Sequence, residues 1–272
     1  MKAIITEVEC RSILNKSGIP GIDYALNPYV GCEHACVYCY ADFMRRFTGH
    51  REPWGSFVDV KVNAPEVLRR QLRRLPRGLI SFGTVTDPYQ PAEARYKITR
   101  GCLEGLIGQG FPVSILTKSA LILRDLDLLK ALEGLEVGFT VTVLDERVRR
   151  AFEPYSSPSL ARLEALKRLA EAGIKTWLFF GPVLPYFSDS WEHIDELFAS
   201  AAEAGVDYLL VDRLNLYPQV WGRVRWLLKR SFPEALPAYE EYQRNSAIWC
   251  EELRAKAEEA AKGHRVSLRF AF

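Results

Sequence analysis

The chain has 272 residues, 48% of them apolar and 26% charged, and a formal net charge of +2. This is the balance of a globule with a substantial core, at a length where α/β barrels are ordinary. No apolar run approaches the ~18 residues of a membrane span, and so small a charge lacks the basic footprint of a dedicated nucleic-acid binder.

Taken in chain order, Met1-Lys2-Ala3-Ile4-Ile5-Thr6-Glu7 soon meets an acidic residue and lacks the apolar stretch of a signal peptide. A cytoplasmic protein with no membrane association is expected, and residues 1–20 read as an N-terminal extension. Asp23–Asn27 predicts the first strand, Phe57–Val62 the second, and the helix that follows runs from Pro65 to Leu75. From there one punctuation recurs: a helical pattern ends at glycine and a short β-branched or aromatic run follows. Gly78 precedes Leu79–Phe82, Gly110 precedes Val113–Leu116, and Gly134 precedes Val137–Val143. Gly173 precedes Thr176–Phe180, and Gly205 precedes a seventh strand at Tyr208–Asp212. Glycine just past a helix closes it in the left-handed conformation, and nearly continuous apolar runs suit parallel strands buried on both faces. Ser157-Pro158 offers a helix start, and Asp189 with Glu192 another resembling a capping box.

Helix and strand alternating in this way argue for βα repeats. The expected fold is α/β, a partial (β/α)6 TIM barrel over 21–212. A C-terminal helical extension over 213–272, with Val266–Phe270 as a terminal strand, would pack on an open edge or the bottom of the barrel. Two basic clusters stand out: Arg69, Arg70, Arg73, Arg74 and Arg77 on one helix, and Arg223, Arg225, Lys229 and Arg230 near the C-terminus. Each reads as a solvated helix face, with a phosphate-backbone contact as the alternative.

The loop after the first strand carries the most informative feature. Cys32, Cys36 and Cys39 stand at C-x3-C-x2-C spacing. Three thiolates can ligate three irons of a cubane [4Fe–4S] cluster and leave the fourth iron open to an exchangeable ligand. A structural zinc site wants four closed ligands, which His34 would complete. A chance cluster of buried thiols is the third reading, in a chain with six cysteines in all. In a barrel, reactive groups sit at the C-terminal ends of strands. Three further strand ends are polar there: Gly83-Thr84-Val85-Thr86-Asp87-Pro88-Tyr89-Gln90-Pro91, Thr117-Lys118-Ser119, and Thr140 with Thr142.

With Tyr38 directly before the last cysteine, the loop resembles the radical S-adenosylmethionine (SAM) superfamily, which places such an aromatic beside the adenine of its cofactor. The resemblance implies that SAM chelates the open iron, and that an electron from the reduced cluster cleaves its S–C5′ bond. The 5′-deoxyadenosyl radical so released abstracts hydrogen from a substrate. It implies Cys32, Cys36 and Cys39 as iron ligands, and Lys118 and Ser119 with Thr140 and Thr142 as SAM contacts. Gly181 would allow close approach of adenine. Against these roles stand plainer ones: Lys118 snorkelling to solvent, threonines favouring strands, and Gly181 forming a turn. The Gly-Gly-Glu usual in the superfamily at the end of strand two is absent, Lys61-Val62-Asn63 standing there instead.

The resemblance then narrows. Asn27-Pro28-Tyr29-Val30-Gly31, Thr86-Asp87-Pro88-Tyr89-Gln90-Pro91, Thr117-Lys118-Ser119 and Glu153-Pro154 with Ser157-Pro158-Ser159 are similar to the spore photoproduct lyase-like group. The similarity runs over roughly residues 12–212. It implies a nucleic-acid lesion as substrate and a flavodoxin- or ferredoxin-like reductant, or its chemical equivalent. The true lyase returns hydrogen from a cysteine after strand three, whereas Ser81–Gln90 contains none. Tyr38 and Tyr40 match the tyrosines flanking the third cluster cysteine, so Tyr40 is a catalytic candidate in a tyrosine relay. Tyr89, with Gln90, is a candidate for substrate contact. A peptide, protein or RNA substrate is the enzymatic alternative, and a zinc-stabilised nucleic-acid-binding module the non-enzymatic one.

Overall fold

A computed structural model describes residues 3–272. The chain divides into two units: residues 1–35, 41–138 and 172–175 form the first, and residues 36–40, 139–171 and 176–272 the second.

In the first unit, β1 (Ile4–Val8), β2 (Leu14–Lys16), β3 (Tyr24–Leu26) and β4 (Tyr29–Val30) precede β5 (Phe57–Lys61) and α1 (Ala64–Leu72). Then come β6 (Ile80–Phe82), α2 (Pro91–Tyr96), α3 (Ile98–Leu106), β7 (Val113–Thr117), α4 (Leu126–Ala131) and the start of β8 (Leu135–Thr140). The strand order is β2-β3-β6-β7-β8. β3 pairs parallel with β6 and β6 with β7, while β2 is antiparallel to β3. The expected second strand is formed but does not join this sheet. β5 lies in a three-stranded sheet of its own, parallel to β1 and antiparallel to β4. The physical reason is a partner far away in sequence: Ile4–Val8 supplies the hydrogen-bonding edge that β5 takes. Phe57, Val58 and Val60 on β5 and Ile80, Phe82, Val113 and Ile115 on the larger sheet are fully buried.

The second unit continues with α5 (Glu146–Phe152), α6 (Ser159–Glu171), β9 (Lys175–Val183), α7 (Trp191–Glu203) and β10 (Tyr208–Arg213). It closes with α8 (Pro218–Ser231), α9 (Leu236–Arg244), α10 (Ser246–His264) and β11 (Leu268–Phe270). Its strand order is β8-β9-β10-β11, with β10 parallel to both β9 and β11. The tail therefore adds a strand to the edge left by β10, through the three helices α8, α9 and α10. Helix starts follow local chemistry. The Asp145 carboxylate accepts from Arg147 N and Val148 N at 2.7 and 3.0 Å to open α5. Ser190, not Asp189, caps α7, accepting from His193 N. Asp189 is engaged elsewhere, accepting from the Trp249 indole at 2.7 Å. The core here gathers Phe152, Val224, Leu228, Phe232 and Tyr239. Among the described residues no helix is long and apolar enough to cross a membrane.

Candidate active site

Gly31, directly before the first cysteine, takes φ +81, and a Cβ there would stand 2.3 Å from the Phe57 carbonyl oxygen. Only glycine permits that conformation and that approach together. The loop after β6 then grips this turn. Thr86 Oγ1 donates to Gly31 O at 2.6 Å, Gln90 Nε2 donates to the same oxygen at 3.3 Å, and Glu33 N donates to Gln90 Oε1 at 2.9 Å. Gln90 is fully buried and spent on this clamp. Tyr89 is likewise 0% exposed, with burial and the Asp125 and Glu93 carboxylates pushing its phenol well above the ordinary range. The loop expected to reach substrate with these two residues instead turns them inward, because a Pro-bracketed turn with a buried aromatic packs better than it projects.

Asp87 organises the same loop. It accepts from Thr117 Oγ1 and Lys118 N, both at 2.7 Å, and from Tyr89 N at 2.9 Å. His34, between the first two cysteines and 2% exposed, places Nδ1 3.3 Å from Asp87 Oδ2 without hydrogen-bond alignment. Burial raises the Asp87 carboxyl, but the neighbouring His34, the Thr117 hydrogen bond and the Lys118 charge outweigh it and lower the group to about 2. A depressed carboxylate stabilises the fold above its unfolded value of 3.8 and loses that contribution as pH falls through about 2. The stability gap between wild type and Asp87→Asn should therefore shrink by about 2 kcal/mol between pH 5 and pH 2. Urea titrations across that range check it, and a constant gap would contradict it.

Lys118 and Ser119 belong to this unit. The Ser119 hydroxyl caps the following 3-10 turn, accepting from Leu121 N at 3.3 Å. Lys118 is partly buried. The remaining candidates belong to the second unit, where Glu153 is the centre. It accepts from the Tyr38 hydroxyl and pairs with Arg162, and both Glu153 and Arg162 are fully buried. Thr142 Oγ1 donates to Glu153 Oε1 and Ser156 Oγ to Glu153 Oε2, both at 3.1 Å. Arg149 holds the Glu153 backbone carbonyl at 2.8 Å. The Tyr38 phenol is pushed well above its usual range, first by burial and then by Glu153. Arg162 also reaches Thr140 O at 2.8 Å, and Thr140 Oγ1 is a buried hydroxyl with no partner among the described residues. The sequence signals for this centre were the Glu153-Pro154 and Ser157-Pro158-Ser159 motifs, which carry no role when read alone.

Tyr40 keeps 49% of its surface exposed. At Gly181 the absent side chain already has a structural cause: a Cβ would stand 2.5 Å from the Phe179 ring. Of the basic residues, Arg69, Arg70, Arg73, Arg74 and Arg77 are exposed, as a solvated face would be. Arg223 departs from its cluster. It is half-buried and donates from Nε to Val37 O at 3.0 Å and from Nη2 to Cys39 O at 2.5 Å.

The cysteines suit an iron–sulfur cluster by the chemistry of their donors. None of the six cysteines is disulfide-bonded, and Cys32 and Cys36 are buried with Cys39 partly so. Three soft thiol donors without a fourth match a cubane with one open iron. Among the described residues no three His, Cys, Asp or Glu side chains are grouped to hold a single metal ion. The unpartnered Thr140 hydroxyl fits a polar ligand, since an unsatisfied buried hydroxyl costs about 1–3 kcal/mol.

Residues 26–201 match the model of the Radical SAM superfamily, and the chain belongs to it. It is 38% identical over 188 residues to the uncharacterized protein MJ0683 of Methanocaldococcus jannaschii, covering 69% of this chain and 71% of that one. It is 37% identical over 250 residues to the uncharacterized protein Rv2578c of Mycobacterium tuberculosis, covering 88% and 73%. A Radical SAM Nalpha-GlyT isomerase of Pseudomonas phage M6 is 25% identical over 79% of this chain, which spans 44% of that relative. Among solved structures, a spore photoproduct lyase mutant with bound AdoMet and dinucleoside spore photoproduct superposes with TM-score 0.73 at 16% identity, covering 98% and 82%. The fold is thus α/β with a mostly parallel sheet, consistent with the partial TIM barrel of radical SAM enzymes. The protein is a radical SAM enzyme whose cofactors are a [4Fe–4S] cluster and SAM, and it requires a reductant.

Proposed function

We propose that this enzyme acts on a lesion or modified base in nucleic acid, with hydrogen abstraction as the first step on the substrate. The observation that carries this reading is the likeness, over 98% of the chain, to a lyase holding a dinucleoside photoproduct. The bound cofactors would supply an electron and a 5′-deoxyadenosyl radical; the protein supplies position and the exclusion of competing reactions. Cys32, Cys36 and Cys39 would hold the iron. Tyr38, fixed through Glu153, would lie beside adenine, and the Thr140 hydroxyl would be free to meet a polar atom of SAM. Lys118 offers a point charge to the SAM carboxylate. Ser119, beside Lys118 in the first unit, and Thr142 and Gly181, in the second, are the further SAM contacts of this assignment. Tyr89, being fully buried, is left out of the assignment.

Hydrogen return falls to Tyr40. No cysteine occupies Ser81–Gln90, and Cys102 is fully buried with its thiol pushed up by burial. A tyrosine phenol, with an ordinary pKa of about 10, keeps its O–H at neutral pH. Tyr40→Phe should therefore still form 5′-deoxyadenosine while yielding less restored product, as chromatography of both would show. We place the enzyme in the cytoplasm with a flavodoxin- or ferredoxin-like donor, consistent with reduced cysteines.

The test is anaerobic incubation of the reduced, reconstituted enzyme with SAM and either irradiated DNA, undamaged DNA, RNA or peptide. Several-fold stimulation of 5′-deoxyadenosine by irradiated DNA alone is the expected result. Stimulation by peptide, or by no nucleic acid at all, would refute the reading.

A further inference from the structure

The segment Cys36–Tyr40 is held from two directions within its unit. From the end of α5, Phe152 O accepts from Val37 N at 2.8 Å and Glu153 takes the Tyr38 hydroxyl. From α8, the Arg223 guanidinium spans the carbonyls of Val37 and Cys39, the two residues that bracket Tyr38. A guanidinium is planar, always charged and rigid in its fork, so two of its donors fix the separation of the two carbonyls they meet. α8 itself is anchored independently, through Val220, Val224, Leu227 and Leu228 in the core. Its other basic residues, Arg225, Lys229 and Arg230, are exposed, so Arg223 is the one in this cluster turned inward. The residues matched by the superfamily model end at 201, upstream of α8.

We infer that Arg223 is a positioning residue for the cluster, and that the C-terminal extension is thereby part of the cofactor site rather than only a cover for the sheet edge. The guanidinium sets the backbone that presents Cys39 and Tyr38, and brings a permanent positive charge to the cluster loop. Both effects act through the loop, as outer partners of a metal ligand orient and tune it. The inference rests on the reading that Cys36 and Cys39 hold the cluster.

The test compares anaerobically reconstituted wild type, Arg223→Gln and Arg223→Lys. Wild-type protein that takes up no iron would refute the underlying reading; iron uptake by wild type leaves the role of Arg223 to be decided by the variants. Two quantities are followed: the rate of iron release to a chelator and the midpoint potential of the cluster. Arg223→Gln should release iron faster, by about tenfold or more, and its potential should fall, because a nearby positive charge no longer favours the reduced cluster. Arg223→Lys keeps the charge but not the fork, so its potential should stay near wild type while its iron release still rises. A destabilised fold alone would speed release in both variants without separating their potentials. Should Arg223→Gln not fold, Arg223→Lys with wild-type release kinetics overturns the inference. An unchanged potential in folded Arg223→Gln, or wild-type iron release in both variants, overturns it equally.

Discussion

Cys36→Ala should emerge from anaerobic reconstitution without a stable cluster, whereas wild type should hold about four irons per chain and show the brown absorption of an iron–sulfur protein. The same loss is expected for Cys32→Ala and Cys39→Ala, since each removes one of the three thiolates and leaves two irons of the cubane without a protein ligand. Activity should fall to background in all three, because SAM would have no iron to bind. The fold should survive: Cys36 is a small buried side chain among many in its core, and removing one sulfur there is a modest change. His34→Ala is the discriminating control. Its Nδ1 faces Asp87, so iron content should stay near wild type. If His34→Ala emptied the site, or if wild type held one colourless metal, the iron–sulfur assignment of these cysteines would be wrong.

Glu153→Ala should be the most destabilising single change outside the cysteine loop. It leaves the Arg162 guanidinium in a fully buried position with its charge unpaired, and strips a hydrogen-bond partner from Tyr38, Thr142 and Ser156 at once. Breaking a buried pair from one side costs about 3–5 kcal/mol, which for a chain of this size lowers Tm by on the order of 10 °C. Glu153→Gln should cost less, since the amide still meets the hydroxyls but not the charge. Tyr38→Phe should cost about 1–2 kcal/mol, the price of one buried hydrogen-bond partner. Because Tyr38 and Glu153 share that bond, the double variant should be more stable than the sum of the singles predicts. Urea melts of the unloaded protein give all four values. A loss below about 1 kcal/mol in Glu153→Ala would mean that the pair is solvated and does not organise the loop.

These two expectations draw on different kinds of information. The cysteine spacing, the tyrosine beside Cys39 and the alternation of glycine with short apolar runs are local patterns. Spacing and periodicity within a few residues decide them, so an iron–sulfur site with one open iron and the mostly parallel α/β fold are legible in the chain, while SAM follows from the family resemblance these residues carry. The segment Phe57–Val62 is likewise legible as a strand. Which sheet it joins was not legible, because the edge it takes belongs to Ile4–Val8, about fifty residues upstream.

Much of the supporting chemistry is non-local. Tyr38 and Glu153 are 115 residues apart in sequence, and Val37 and Arg223 are 186 apart. No periodicity links such pairs, and an arginine bound to a loop looks in sequence like an arginine bound to water. The same holds for Tyr89 and Gln90: a polar, Pro-bracketed turn predicts a loop, but only packing decides whether its side chains point to a ligand or into the core. The amino-acid sequence by itself determined which atoms can carry the chemistry. The tertiary structure alone decided which buried partners hold those atoms still, because hydrogen bonds and ion pairs depend on distances that chain order does not encode.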